Sequence, residues 1–150
     1  MKKLRIYLDT SVLGGCLDEE FADESLALIE MAQRGEVILL ISNLLVDELL
    51  RAPEEVTSFF DSLSVEYLER VQVTPEAESL RDRYVESEVV GEGSADDALH
   101  VAMATVANAD LIVSWNFRHI VHFEKIRGFN AVNLLEGYQQ IEIRSPREVI

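Results

Sequence analysis

Asp9 follows the alternating apolar segment Leu4-Arg5-Ile6-Tyr7-Leu8 and precedes Thr10-Ser11, so its carboxylate stands at the carboxyl end of an expected first strand. Glu48 lies in the helix expected after a second strand, Val37 to Ile41. Asp97 opens a helix from Ala95 to Asn108, and Asn116 comes just past a third strand, Asp110 to Ser114. Open α/β sheets bind ligands in the crevice outside the carboxyl ends of their strands, which lets these four side chains converge. Convergence is costly: two carboxylates about 4 Å apart repel by roughly 4 kcal/mol at an effective dielectric near 20. Three acids make three such terms. Relief comes from a proton taken up at a raised pKa, or from a hard cation that reverses the local field. No Lys or Arg adjoins the three acids in sequence, although Arg51 is one turn beyond Glu48. Oxygen ligands without Cys, and with His only peripheral, favour Mg²⁺ or Mn²⁺ over Zn²⁺. Such an ion suits phosphate-ester hydrolysis, activating water and stabilising the charge of an in-line displacement.

The elements that must position these residues are readable from periodicity. The polar cluster Asp9-Thr10-Ser11 suits a turn and helix N-cap. After an acidic patch from Asp18 to Glu24, the apolar positions Leu26, Ile29, Met31 and Ala32 predict an amphipathic helix ending near Arg34-Gly35. Val37 to Ile41 is a continuous apolar run, as expected of a strand covered on both faces, with Ser42 or Asn43 able to cap the next helix. Residues 54–69 and 75–87 read as two amphipathic helices forming one pair, each opened by Pro and carboxylates. The turn-rich Trp115-Asn116-Phe117 leads to a basic helix ending near Arg127, then short strands near Ala131 to Val132 and Ile141 to Ile143. Strands alternating with helices predict an α/β fold with a mainly parallel sheet.

A chain of 150 residues, 48% hydrophobic and 27% charged, fits one domain over 1–150. The apolar run Val37 to Ile41 is far shorter than the ~20 residues a bilayer span demands, and Arg5 and Asp9 interrupt any apolar leader core. A cytoplasmic protein with no membrane partner is the expectation. The lone Cys16 reads as a small apolar filler. The net charge of -15 argues against nucleic acid as a partner, but it is unevenly spread. Residues 1–114 hold 24 acids and 8 bases, whereas residues 115–150 hold 4 acids and 5 bases. There Arg118, His119, Lys125 and Arg127 are the candidate phosphate contacts.

Four segments in order resemble the motifs of the PIN domain family: Tyr7-Leu8-Asp9-Thr10-Ser11-Val12-Leu13, Leu45-Val46-Asp47-Glu48-Leu49, Ser94-Ala95-Asp96-Asp97-Ala98-Leu99-His100-Val101-Ala102 and Asp110-Leu111-Ile112-Val113-Ser114-Trp115-Asn116-Phe117. The resemblance covers essentially the whole chain. It implies a three-layer α/β/α sandwich whose acidic pocket binds Mg²⁺ or Mn²⁺ and cleaves RNA phosphodiesters. It further implies a VapC-like toxin, neutralised by a protein antitoxin and forming a homodimer or higher homo-oligomer. Carried over by position, the metal-binding acids are Asp9, Glu48 and Asp97, with Asn116 where members often have a fourth acid. That amide adds no negative charge, which leaves one or two metals open.

Each residue also has an ordinary reading. Asp96 and Asp97 both suit helix capping, so the assignment between them stays open, and Asp47 rivals Glu48, where the resemblance favours Glu48. His100 on an apolar helix reads as a hydrogen-bonded core histidine, and Trp115 and Phe117 as core with base stacking the alternative. Thr10 and Ser114 are as apt to satisfy backbone groups as to hold water at the pocket. Against the ribonuclease stands a catalytically weak binding or assembly module, whose surface is too acidic to capture RNA efficiently.

Overall fold

The computed structural model describes residues 2–150. Its five strands are β1 (Leu4–Leu8), β2 (Val37–Ser42), β3 (Leu68–Val71), β4 (Leu111–Val113) and β5 (Glu142–Arg144). They pair entirely in parallel in the order β3-β2-β1-β4-β5. The helices are α1 (Thr10–Gly15), α2 (Ala22–Gln33), α3 (Asn43–Leu49), α4 (Glu54–Asp61), α5 (Pro75–Glu86), α6 (Ala95–Val106) and α7 (Phe123–Leu135). Alternation along the strands divides the core in two, because successive side chains point to opposite faces. Ile6, Leu8, Leu39, Ile41 and Val113 pack with apolar residues of α1, α2, α3 and α4. Tyr7, Leu40 and Ile112 pack with those of α5, α6 and α7. The result is the expected α/β/α sandwich.

The central strand fixes where the chemistry sits. β1 pairs Tyr7 with Leu40 of β2, and Leu8 with Val113 of β4. The Asp9 N–H donates to the Val113 carbonyl at 3.1 Å, which holds the start of α1 level with the end of β4. Ser42 ends β2 and caps α3, accepting from the Leu45 N–H at 3.0 Å.

Three elements differ from the sequence reading, and in each tertiary contacts decide. The helix expected over 54–69 stops at Asp61, and Leu68–Val71 forms β3 instead. Leu68-Glu69-Arg70-Val71 has little strand signal of its own; it is fixed by pairing with β2 from Leu39 to Ser42 and by Arg5 Nε donating to Glu69 at 3.0 Å. This inserted edge strand sends α4 and α5 to opposite faces, so the expected helical pair does not form. The basic helix expected to end near Arg127 runs on as α7 to Leu135, replacing the strand predicted at Ala131 to Val132. Burial of Phe129, Val132 and Asn133 on one side sustains it, with Asn133 accepting from the Tyr84 hydroxyl and donating to Thr105. The turn read at Trp115 to Phe117 continues through 120, where the sequence reading already begins that helix.

Cys16 is buried, and loss of solvent pushes its thiol up to about 12, so it is a packing residue. Gly15 is required by close approach: a Cβ there would come within 2.6 Å of Ser25 Oγ and 2.8 Å of Trp115 Nε1, atoms that bond each other at 2.7 Å. Gly15→Ala is expected to lower unfolding free energy by about 1–3 kcal/mol through overpacking. At Gly14 a Cβ meets nothing within 4 Å, so Gly14→Ala should leave stability unchanged or slightly raised in the same denaturant titration. Equal stabilities for the two variants would contradict the packing described here.

Candidate active site

Asp9 is 5% exposed at the tip of the central strand and is oriented by two hydroxyls. Its Oδ2 accepts from Ser11 Oγ at 2.6 Å and from Ser114 Oγ at 2.7 Å. The same hydroxyls accept backbone N–H groups after β4: Ser11 from Trp115 and Ser114 from Asn116, both at 2.9 Å. Thus Asp9, the first turn of α1 and the loop after β4 form one hydrogen-bonded unit.

Glu48, near the end of α3, has a side chain 23% exposed. Its Oε1 accepts from Thr10 Oγ1 at 2.6 Å and faces His100 Nε2 at 2.6 Å. Nε2 also lies 3.5 Å from Asp9 Oδ1. Burial pushes the Glu48 carboxyl up, but the His100 bond and charge, the Thr10 bond and the field of Arg51 outweigh it and hold the group below the usual carboxylate range. Burial opposes a charge on His100 as well, yet the Glu48 bond and the fields of Asp9, Glu48 and Asp97 raise it above an ordinary histidine.

Asp97 lies in the first turn of α6. Its carboxyl is raised, first by burial and then by repulsion from Asp9; His119, His100 and the Asn116 side chain pull the other way. Asn116 Oδ1 accepts from the His119 N–H at 2.9 Å, which leaves its amide nitrogen without a partner among the described residues. The neighbouring acids are turned away: Asp47 and Asp96 are exposed, while Glu48 and Asp97 are half-buried.

The fold therefore brings Asp9 and Glu48 together through His100, with Asp97 and Asn116 inside the same electrostatic neighbourhood. The candidate phosphate contacts divide. Arg118 is exposed and His119 half-buried on the turn after Asn116. Lys125 Nζ instead donates to the Val89 carbonyl at 3.0 Å, and Arg127 lies over the Phe123 ring, 5.6 Å from its centroid. Trp115 is buried and stacks on Phe21 at 4.3 Å, whereas Phe117 is 46% exposed. An open cleft of about 760 Å³ runs from Ser11 past Leu17, Phe21, Val56 and Trp115.

Sequence reasoning did not single out the donors to the carboxylates. Thr10 and Ser114, left between satisfying backbone groups and holding water at the pocket, donate instead to Glu48 and Asp9. His100 is the hydrogen-bonded core histidine expected, but its partner is a site acid. Its position three residues after Asp97, one helical turn away, was the available signal.

The donor set fits a hard cation. In each of the two bonded carboxylates one oxygen is occupied, Asp9 Oδ2 and Glu48 Oε1, while Asp9 Oδ1 and Glu48 Oε2 carry no close hydrogen bond. Among the described residues no three acidic, His or Cys side chains close on one point as a cage. The open oxygens of Asp9 and Glu48 suit an ion such as Mg²⁺, which is held through one or two carboxylates and keeps several waters.

The family described as PIN domain matches residues 5–118. Among solved structures, the chain is similar to VapBC2 from Rickettsia felis, crystallised bound to a DNA fragment from the VapBC2 promoter. The TM-score is 0.60 at 15% sequence identity, covering 95% of this chain and 98% of that one, a likeness of fold. No curated protein matches the chain.

Proposed function

The chain belongs to the PIN domain family, and on that premise we propose that it is a divalent-metal-dependent endoribonuclease and the toxin of a toxin–antitoxin pair. The family is one of nucleases, which makes a hydrolase the coarse class. The observation that carries the finer reading is the pair of carboxylates at the carboxyl end of a parallel sheet, each with one oxygen pinned and the other open.

In this reading Asp9 and Glu48 hold Mg²⁺ or Mn²⁺ through their open oxygens, and Asp97 is the third acid, brought to the ion when it binds. When bound, the cation supplies a Lewis acid that lowers the pKa of water and offsets charge developing on the phosphate oxygens. The chain supplies the rest. Ser11 and Ser114 keep Asp9 in one rotamer, and Thr10 and His100 do the same for Glu48. Asn116 fixes the turn that carries Arg118 and His119, the basic side chains best placed to meet a phosphate. Lys125 and Arg127, each already engaged, contribute to the local field at longer range.

A protein antitoxin is the proposed partner, supported by the likeness to a VapBC complex. A homodimer and a cytoplasmic location complete the proposal; among the described residues no helix is long and apolar enough to cross a membrane.

The direct experiment offers single-stranded RNA to the protein with Mg²⁺, Mn²⁺ or EDTA, with single-stranded DNA as the comparison. Cleavage of RNA should appear with the ion, stop with EDTA and return on adding excess Mn²⁺. Mn²⁺ at about 100 times its dissociation constant should also stabilise the fold by about 2.7 kcal/mol. Cleavage indifferent to EDTA removes the metal mechanism. Absence of both cleavage and thermal shift leaves a binding or assembly module, the reading that the acidic surface and Asn116 favour.

A further inference from the structure

His100 is fully buried in the middle of α6, yet both ring nitrogens are engaged. Nδ1 lies 2.7 Å from the Tyr7 hydroxyl, and Nε2 lies 2.6 Å from Glu48 Oε1. Tyr7 is itself wholly buried on β1, its ring edge-on to the imidazole at 5.7 Å between centroids. A continuous chain thus runs from the central strand through α6 to α3.

The direction of the bond to Glu48 does not depend on the state of the ring. In neutral imidazole, a Tyr7 hydroxyl donating to Nδ1 leaves the single ring proton on Nε2, facing Glu48. In imidazolium, Nδ1–H donates to the phenol oxygen and Nε2–H still donates to Glu48. Either way Glu48 Oε1 receives two donors, Thr10 and His100, arriving from different elements. A long carboxylate tethered by Thr10 alone can still turn, whereas two donors on one oxygen fix where the other oxygen points. The same Nε2, 3.5 Å from Asp9 Oδ1, also spaces the two acids apart.

We propose that His100 is a positioning residue: braced by Tyr7, it locks Glu48 against Asp9 so that an incoming cation meets an oxygen pair already in place. This rests on the metal-site reading above, and the measurements separate the two.

Three variants suffice: His100→Leu removes the donor, His100→Gln restores an N–H near the Nε2 position, and Tyr7→Phe removes the brace. The Mn²⁺ dissociation constant is measured by calorimetry, with kcat and KM on RNA and thermal unfolding in EDTA alongside. His100→Leu should weaken Mn²⁺ by roughly 10- to 100-fold, as loss of an outer partner of a metal ligand does. It should lower kcat with KM for RNA little changed. His100→Gln should recover most of the loss, and Tyr7→Phe should show a smaller loss of the same kind. A merely structural role predicts no such rescue. Equal Mn²⁺ affinities for the Leu and Gln variants, or wild-type affinity in His100→Leu, would overturn the proposal. Should His100→Leu fail to fold, wild-type affinity in both His100→Gln and Tyr7→Phe with unchanged kcat overturns it, and a loss in Tyr7→Phe exceeding that in His100→Gln supports it. Wild-type protein that binds Mn²⁺ but leaves RNA intact sinks the ribonuclease reading alone, and the affinity ratios then decide on His100. Protein that binds no Mn²⁺ ends both.

Discussion

Asp9→Asn is expected to lower RNA cleavage by on the order of a thousandfold or more, a loss of about 4 kcal/mol in transition-state stabilisation, while the far-UV spectrum stays unchanged. Three observations set the size of this effect. Asp9 sits at the end of the central strand, it receives two hydroxyl donors on Oδ2, and its Oδ1 is the oxygen left for a ligand. Asparagine keeps the shape and one acceptor but removes the charge that would hold a cation. Its amide also presents N–H groups to one of the two sets of neighbours. The thermal shift with Mn²⁺ should shrink with the activity. A variant that cleaves at the wild-type rate would remove Asp9 from the chemistry altogether.

Asn116→Asp is expected to act in opposite senses with and without metal. The Asn116 oxygen is used by the His119 N–H, and the neutral amide stands in the neighbourhood of Asp97, whose carboxyl is already raised by burial and by Asp9. An aspartate keeps the bond to His119 and sets another negative charge near Asp97. Without divalent ions the variant should be less stable by about 1–3 kcal/mol, from repulsion between neighbouring half-buried carboxylates. Saturating Mn²⁺ should recover most of this, giving a larger thermal shift than in the wild type. Melting curves in EDTA and in Mn²⁺ measure both effects. An unchanged melting temperature in EDTA would show that position 116 does not share the electrostatic neighbourhood of Asp97.

Legibility in the sequence followed how local each signal was. β1 was readable from its alternation and β2 from the continuous apolar run of a strand covered on both faces, and Asp9 was placed by where the first segment ends. The rival acids were separable only by burial: Asp47 and Asp96 point outward, a fact of helix orientation that adjacent carboxylates do not reveal. β3 was hidden because Glu69 and Arg70 give it an ordinary polar helix composition; its identity comes from β2 and from Arg5, 64 positions away. The extension of α7 through Val132 depends on Asn133 meeting Tyr84, 49 positions earlier. The spacing from Asp97 hinted at His100, but its partners were out of reach for the same reason, since Tyr7 and Glu48 lie 93 and 52 positions from it.

Both margins of the sheet are short and charged. β3 is four residues long with Glu69 and Arg70 at its centre, and β5 is three residues long with Glu142 and Arg144 flanking Ile143. Such rims offer few consecutive unpaired peptide groups and place ionised side chains where an added strand would dock. Growth of the β-layer from one molecule into the next is therefore disfavoured. Assembly of this chain with a second copy or another protein is channelled to its helical flanks, and the rims guard it against runaway polymerisation.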